Sequence, residues 1–489
     1  MFRKMTVLFC LSSFLSFLLA ASSFAGGFAT SGVGSKAVGM GGAFRGLADD
    51  WSAVYWNPAG LAQLESSEVN ITVMATSHRG EYTPNIKLGE GTSLYEIGFK
   101  NGTRWFHKDE INVFPNAGGF VKLPGVKGMT AGVGVSLNHD LNFRWDLFDP
   151  PVGYNNTVEY PEIDHSSKLR VIDFHPSVAK EVVENRLFFG AGLSAQYCEM
   201  DLRKTEMTPN LQLDPTTGDT IWLPRPLDHL YTDVAFEGKG WGYGFNAGLL
   251  FKLNPKFQIG VSYRSATTIE LKGDTKLDLY LPENPGMEQF FLDKGTAEDT
   301  TIANLFKGGL LSTRPDAELD LKLPADVGVG IAFIPNEKLI LTADVSYTQW
   351  DQLELLEPEL EGMSPMGDSA ENITIVTNWE NTVRFSAGLQ YVFNETVTLR
   401  GGYYYDPSPV PDETLSPLFP DVGDKNSFNL GGSLFLGDYE VSYNFEYISS
   451  WDRDIDTLSD PNGDGLFDNY AGSYKMNSFS SLFSLTYRF

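Results

Sequence analysis

The chain has 489 residues and a formal net charge of −27, which becomes −29 once Arg3 and Lys4 are removed. So large an acidic excess excludes nucleic acid as a partner, because phosphate contacts need clustered Lys and Arg. The 49 Gly, 34 Phe and 21 Tyr suit strands with aromatic ends better than a helical or doubly wound enzyme.

Residues 1–25 read as a secretory signal peptide: Arg3 and Lys4, an apolar run from Val7 to Ala20, then Ser23-Phe24-Ala25. Cleavage after Ala25 would leave Gly26 first, with a cut nearer Ala21 as the alternative. Cys10 follows Phe9 inside the apolar run, so it does not look like a lipid-attachment cysteine. Export leaves only Cys198, which cannot form an internal disulfide. No later apolar run reaches about 18 residues, so a spanning helix is not expected. Membrane insertion would then require a closed barrel, since only helices and barrels satisfy their backbone in lipid.

Residues 26–66 show no strand pattern. They carry Gly39-Met40-Gly41-Gly42-Ala43, then Asp49-Asp50 and Asn57-Pro58-Ala59-Gly60. Asp49 or Asp50 can cap a short helix. Pro58 holds Asn57 extended and suits the start of another turn. Composition leaves two readings open, a plug inside a barrel or a tail in the periplasm. Gly32-x-Gly34-x-x-Ala37 matches a dinucleotide fingerprint in form only, because no strand precedes it and no βαβ unit follows.

From residue 67 to 489, apolar residues alternate with small or polar ones at the period of a strand that faces lipid on one side. In residues 439–447, Tyr439, Val441, Tyr443, Phe445 and Tyr447 alternate with Glu440, Ser442, Asn444 and Glu446. Fourteen such segments are predicted, near 68–77, 112–122, 128–144, 167–181, 186–204, 236–253, 256–272, 320–334, 338–351, 379–393, 396–406, 425–436, 439–450 and 473–489. Short turns, such as Pro124-Gly125, Asn254-Pro255, Pro335-Asn336 and Gly437-Asp438, alternate with long connections, the longest near 273–319. A soluble sandwich has no reason to sort its loops this way. The fold class is therefore all-β, a transmembrane antiparallel β-barrel of about 14 strands, with both termini on the short-turn side. Gly240-x-Gly242-x-Gly244 reads as small residues placed where bulk would crowd the interior or the plug. The last strand ends on Phe489, which resembles the signal read by the barrel assembly machinery.

Within the long connections, Met287, Phe290, Phe291, Leu305, Phe306, Leu310 and Leu311 form apolar clusters, fitting either a substrate groove or a packed loop core. Strand parity places Arg264, Arg384 and Arg400 inside, as candidates for holding a substrate carboxylate or as partners of interior acids. Asp460, Asn462, Asp464 and Asp468 match part of a calcium loop, but Ala471 stands where the bidentate Glu belongs. The acidic stretch from Asp351 to Glu371 reads as a solvated loop facing cation-bridged lipopolysaccharide. The six His residues form no recognisable Ser-His motif, so a lipid hydrolase is the weaker alternative and no enzyme is expected. A diffusion porin is the other alternative.

The run Gly32-Val33-Gly34…Gly41-Gly42-Ala43…Asp49-Asp50…Asn57-Pro58-Ala59 resembles the N-terminal hatch of the FadL/TodX outer-membrane transporters. Further matches are Ile172 to Ala179, Gly240 to Gly248, Tyr263-Arg264-Ser265, Leu323-Pro324-Ala325, Trp379 to Arg384, Tyr405-Asp406, Val410-Pro411-Asp412 and Phe419-Pro420-Asp421. The resemblance implies a monomer with a hatch at 26–66 and a barrel at 67–489. It also implies passive uptake of long-chain fatty acids or hydrocarbons, with no cofactor beyond the weak calcium candidate. Substrate would pass from a loop groove to a pocket beside the hatch and leave through a kinked third strand. Asn57, Pro58 and Ala59 are then the gating candidates. Pro115, Asn116, Gly118 and Gly119 are candidates for the lateral opening, in the second strand or just before the third.

Overall fold

Strands with one apolar and one polar face satisfy all their backbone groups in lipid only by closing on themselves. The computed structural model describes residues 26–87, 98–107, 111–154, 158–210, 212–213, 220–221, 223, 225–295, 297–367 and 369–489; the expected signal peptide lies outside them. The barrel strands are β1 (Glu68–Pro84), β2 (Asn112–Lys122), β3 (Met129–Trp145), β4 (His165–Val183) and β5 (Leu187–Pro209). Next come β6 (His229–Asn254), β7 (Phe257–Arg264, resuming over Thr267–Glu283) and β8 (Asp316–Leu323, resuming over Asp326–Asn336). The ring continues with β9 (Leu339–Thr348), β10 (Thr382–Val392) and β11 (Val397–Asp406). It ends with β12 (Lys425–Leu436), β13 (Tyr439–Ser450) and β14 (Gly472–Arg488). Each strand pairs antiparallel with the next, and β1 closes on β14 from Glu68↔Arg488 to Pro84↔Gly472. Ser67 and Phe489 exchange backbone bonds of 3.1 and 3.0 Å, so the start of the barrel and the chain's end meet on the short-turn side.

Leu193 (67% exposed), Leu430 (71%) and Phe245 point outward, while Asn246, Ser442 and Ser480 are buried inside. From Leu187 to Tyr197, at a rise of about 3.3 Å per residue and a tilt of about 40°, this apolar band is about 25 Å tall, the thickness of a bilayer core. Above it the faces exchange roles. On β8, Leu319, Leu321 and Leu323 are buried while Glu318, Asp320 and Lys322 face out.

Several strands run well beyond the predicted ends: residues 273–283, expected in a loop, belong to β7, and β6 begins at His229. Pro335 and Asn336 finish β8, leaving the turn to Glu337 and Lys338.

Residues 26–66 contact strands all round the ring. Val54 and Leu61 press on Gly132 of β3, Pro58 on Gly190 of β5, Gly46 on Gly330 of β8 and Met40 on Gly388 of β10. The Asn444 side chain of β13 donates to Ser35 O at 3.0 Å. The segment therefore lies within the barrel. Interior glycines permit close approaches to its backbone: a Cβ on Gly260 would sit 1.9 Å from Arg45 O, and one on Gly402 would sit 2.0 Å from Gly41 N. The segment is helical at Ser35–Gly39 and Ala53–Trp56, followed by a 3₁₀ turn at Pro58–Gln63.

Candidate functional site

Between the N-terminal segment and β7 to β11 lies a cavity enclosing about 780 Å³ of empty space, its mouth included. Arg264 ends the lower part of β7, and its guanidinium lies 3.8 Å over the Tyr55 ring and donates to Tyr55 O at 3.1 Å. Among the described residues its Nε finds no hydrogen-bond partner; nor do Gln196 Oε1 and His139 Nδ1, from residues that also line the cavity. Buried polar atoms are nearly always paired. A carboxylate oxygen beside Arg264 would accept a charge-assisted bond, the strong kind.

The other two arginine candidates are already engaged. Arg384 lines the cavity but stacks 3.6 Å over Tyr404 and lies 3.7 Å from Asp406. Arg400 is corrected outright: buried away from the cavity, it bonds Gln390 (2.9 Å) and Ser433 (2.6 Å) and pairs with Glu440 at 3.3 Å. Sequence reasoning missed Arg45, the cation that ties the segment to the wall. It pairs with Asp326 and donates through Nε to Ser262 at 3.1 Å, while its backbone N reaches Asp344 at 2.8 Å. A lone Arg in a Gly/Ala-rich run was the available signal.

Asn57 is extended, and its side chain accepts from Ala59 N at 3.2 Å. It also donates to Arg45 O at 2.9 Å and to Leu249 O of β6 at 3.1 Å. Asp50 does not cap the following helix from the N-cap position, which Ser52 holds; it accepts from Ser52 N (2.8 Å) and Oγ (2.6 Å). Burial pushes the Asp50 carboxyl above the usual range, against the pull of Lys36.

The ladder between β2 and β3 runs only from Ala117↔Val135 to Lys122↔Thr130. Above it β3 shifts register between Leu137 and His139, and the N-terminal segment takes over. Thr30 N donates to Asn138 O at 2.9 Å, and Asp140 N to Phe28 O at 3.0 Å. Side chains bridge the interruption, Asn116 Oδ1 accepting from Leu137 N at 3.0 Å. Pro115 and Asn116 thus border a real break, in β2. Gly118 and Gly119 do not: both are paired on each side, and a Cβ on Gly118 would lie 2.1 Å from the Trp51 ring.

The profile of the family described as outer membrane protein transport protein (OMPP1/FadL/TodX) matches residues 16–489. The chain belongs to this family. It is 26% identical over 304 residues to the long-chain fatty acid transport protein of Salmonella typhi; that alignment covers 59% of this chain and 62% of the relative. It is 22% identical over 470 residues to outer membrane protein P1 of Haemophilus influenzae, covering 91% and 92%. In fold it matches a FadL homologue from Pseudomonas aeruginosa (TM-score 0.71, 19% identity, 94% and 99% covered). It also matches the toluene transporter TodX of P. putida (TM-score 0.67, 15% identity, 94% and 99% covered).

In this member of the FadL/TodX family the apolar loop residues form a core and not an open groove. Phe291 and Phe306 are fully buried and stack at 5.7 Å, Leu305 is buried, and Leu310 and Leu311 pack against the same core from partly covered positions. Phe290 alone is well exposed, at 49%. They pack because the long strands carry their apolar side inward above the membrane, which gives loop side chains something to cover. The residues of the partial calcium loop accept backbone N–H bonds. Both Asp460 oxygens accept backbone N–H bonds from 463 to 465, Asp464 accepts from Leu466 N, and Asp468 turns toward Val376 N. Among the described residues no group of three His, Cys, Asp or Glu converges on a metal position. Asp468 is pushed up to about 6, with burial the largest cause.

Proposed function

We propose that the protein carries long-chain fatty acids or other hydrophobic compounds across the outer membrane, down their gradient and without catalysis. The observation that carries this reading is the luminal cavity, walled on one side by residues 26–66 and holding the Arg264 Nε, without a partner among the described residues. A lumen filled in this way speaks against a general porin. The cationic donor favours substrates with an acidic head over neutral hydrocarbons. The relatives' names, a long-chain fatty acid transport protein and a toluene transporter, support the same class.

In this reading residues 26–66 act as a hatch after the leader at 1–25 is removed. Substrate settles beside Arg264, and binding shifts the hatch between arrangements of similar free energy. Asn57-Pro58-Ala59 anchors it on β5 and β6. The chain leaves sideways where β2 and β3 are unpaired beside Pro115 and Asn116, once Phe28 to Thr30 release β3. The protein works as a monomer among outer-membrane lipid and lipopolysaccharide, delivered there by assembly machinery that reads the strand ending in Phe489. A host lacking its own fatty-acid transporter tests this by growth on oleate and, separately, on toluene. We expect growth on oleate; none on either at normal surface levels refutes the proposal.

A further inference from the structure

Two adjacent strands lose their ladder at the same height. On the β6 side, β7 pairs as far as Arg264↔Asn246 and resumes at Ile269↔Gly242, with one residue more in β7 than in β6 across the interval. Ser265 bridges it, donating its N–H to Phe245 O at 2.9 Å and accepting from Phe245 N at 3.0 Å. On the β8 side, pairing stops at Arg264↔Asp326 and resumes at Thr267↔Leu323. The intervening residues are Ser265 and Ala266 against Pro324 and Ala325, three small side chains and a proline without an N–H. The row Gly240, Gly242, Gly244 opposes this place, and Cβ atoms there would strike β7 and not the N-terminal segment.

The interruption inverts the faces of both strands. Below it Ile259, Val261 and Tyr263, and likewise Val327, Val329 and Ile331, face lipid; above it Ile269, Leu271, Leu321 and Leu323 face the interior, still at odd numbers. A change of face does not require a broken ladder. β5 makes the same change between Tyr197 and Cys198 by shifting its sequence parity, with its β6 pairing continuous from Leu187 to Pro209. The break therefore needs another reason, and its position supplies one. Exposed Tyr243 (74%), Trp241 and Tyr263 mark the outer edge of the apolar band beside it. From inside, the cavity that holds Arg264 reaches Ser265, Thr267, Leu323 and Pro324.

Resting on the transport reading above, we propose that the wall between β7 and β8 is a side portal, through which the apolar chain of an acidic amphiphile seated in the outer leaflet reaches the cavity. The packed loop core favours such a route, because Phe291 and Phe306 are fully buried against each other and offer no open apolar groove there. An acid head at the membrane edge then lies one residue from Arg264, and its chain enters behind it.

The test uses the full-length protein in its own outer membrane. A palmitic acid analogue with a mid-chain diazirine is added, irradiated and mapped, and initial oleate uptake is compared among wild type, Ala266→Trp, Ala266→Ser and Val261→Trp. Ala266 and Val261 both point outward. We expect crosslinks in 257–272 or 316–334, and uptake reduced about threefold or more by Ala266→Trp alone. Unchanged uptake in Ala266→Trp at normal surface levels overturns the portal whatever is crosslinked, and so does reduced uptake without crosslinks in either peptide. Absence of uptake in wild type overturns the transport reading instead. Should Ala266→Trp not reach the surface, Ala266→Cys alkylated after assembly gives the same block, because Cys198 is fully buried.

Discussion

Replacing Arg264 with Met separates the two substrate classes. Met keeps much of the apolar stem and removes the charge. The change deletes the bond to Tyr55 O and the stacking on its ring, both contacts within the protein. It also deletes the Nε donor, which has no partner among the described residues and is free for a ligand. A hydrogen bond involving a charged group contributes about 1.5–3 kcal/mol, so affinity for an acid should fall about 10- to 150-fold. A neutral hydrocarbon of equal length loses only the indirect effect of a loosened Tyr55. Displacement of a fluorescent ligand by oleate and by an alkane, on purified wild type and Arg264→Met, reads the difference. Equal losses for acid and alkane, or no loss for either, would refute the assignment of Arg264 as the head-group donor.

Asn57→Ala removes two donor bonds, to Arg45 O and Leu249 O, together about 1–3 kcal/mol of hatch docking. Heat-modifiable migration in SDS should be unchanged while oleate uptake shifts, and loss of the folded barrel band would contradict this. Gly118→Leu should drive its side chain into Trp51 and destabilise the hatch by about 1–3 kcal/mol of overpacking, read as faster protease cleavage within 26–66; unaltered cleavage counts against the packing described. The raised Asp468 carboxyl favours its protonated form in the folded loop. That stability is present below the ordinary carboxylate value and is lost as pH rises through about 6. Exchange at the Asp468 and Tyr470 amides, which donate to Ser459 O and Leu415 O, normalised for the intrinsic rate, should therefore speed up from about pH 4 to about pH 7 in wild type and not in Asp468→Asn.

The barrel was legible because lipid imposes alternation that nothing else overrides, as at Tyr439 to Tyr447, and because turn residues such as Asn254-Pro255 end strands sharply. The upper strands were not. Leu277, Leu279 and Leu281 alternate as well as any lipid-facing run, but their apolar side packs on loops, so the pattern cannot say which side is the membrane. The odd-numbered alternation pauses at Ser265 and Thr267 but resumes in the same phase at Ile269, which conceals the bulge between. At the site, parity placed Arg264 and Arg384 correctly by the cavity, but could not separate Arg400, whose partner Glu440 is distant in sequence. Gly118 and Gly119 suggested a gap from their size alone, whereas Gly118 makes room for Trp51 and Gly119 for the β1 backbone at Glu68 and Val69.

The claim on which the rest depends is that residues 26–66 fill the lumen, so that what crosses does not cross through open water. Single-channel recording of the purified wild-type protein in a planar bilayer tests it most directly. The account predicts a membrane that stays closed to small ions apart from brief, small events. Stable, porin-sized conductance steps would contradict it.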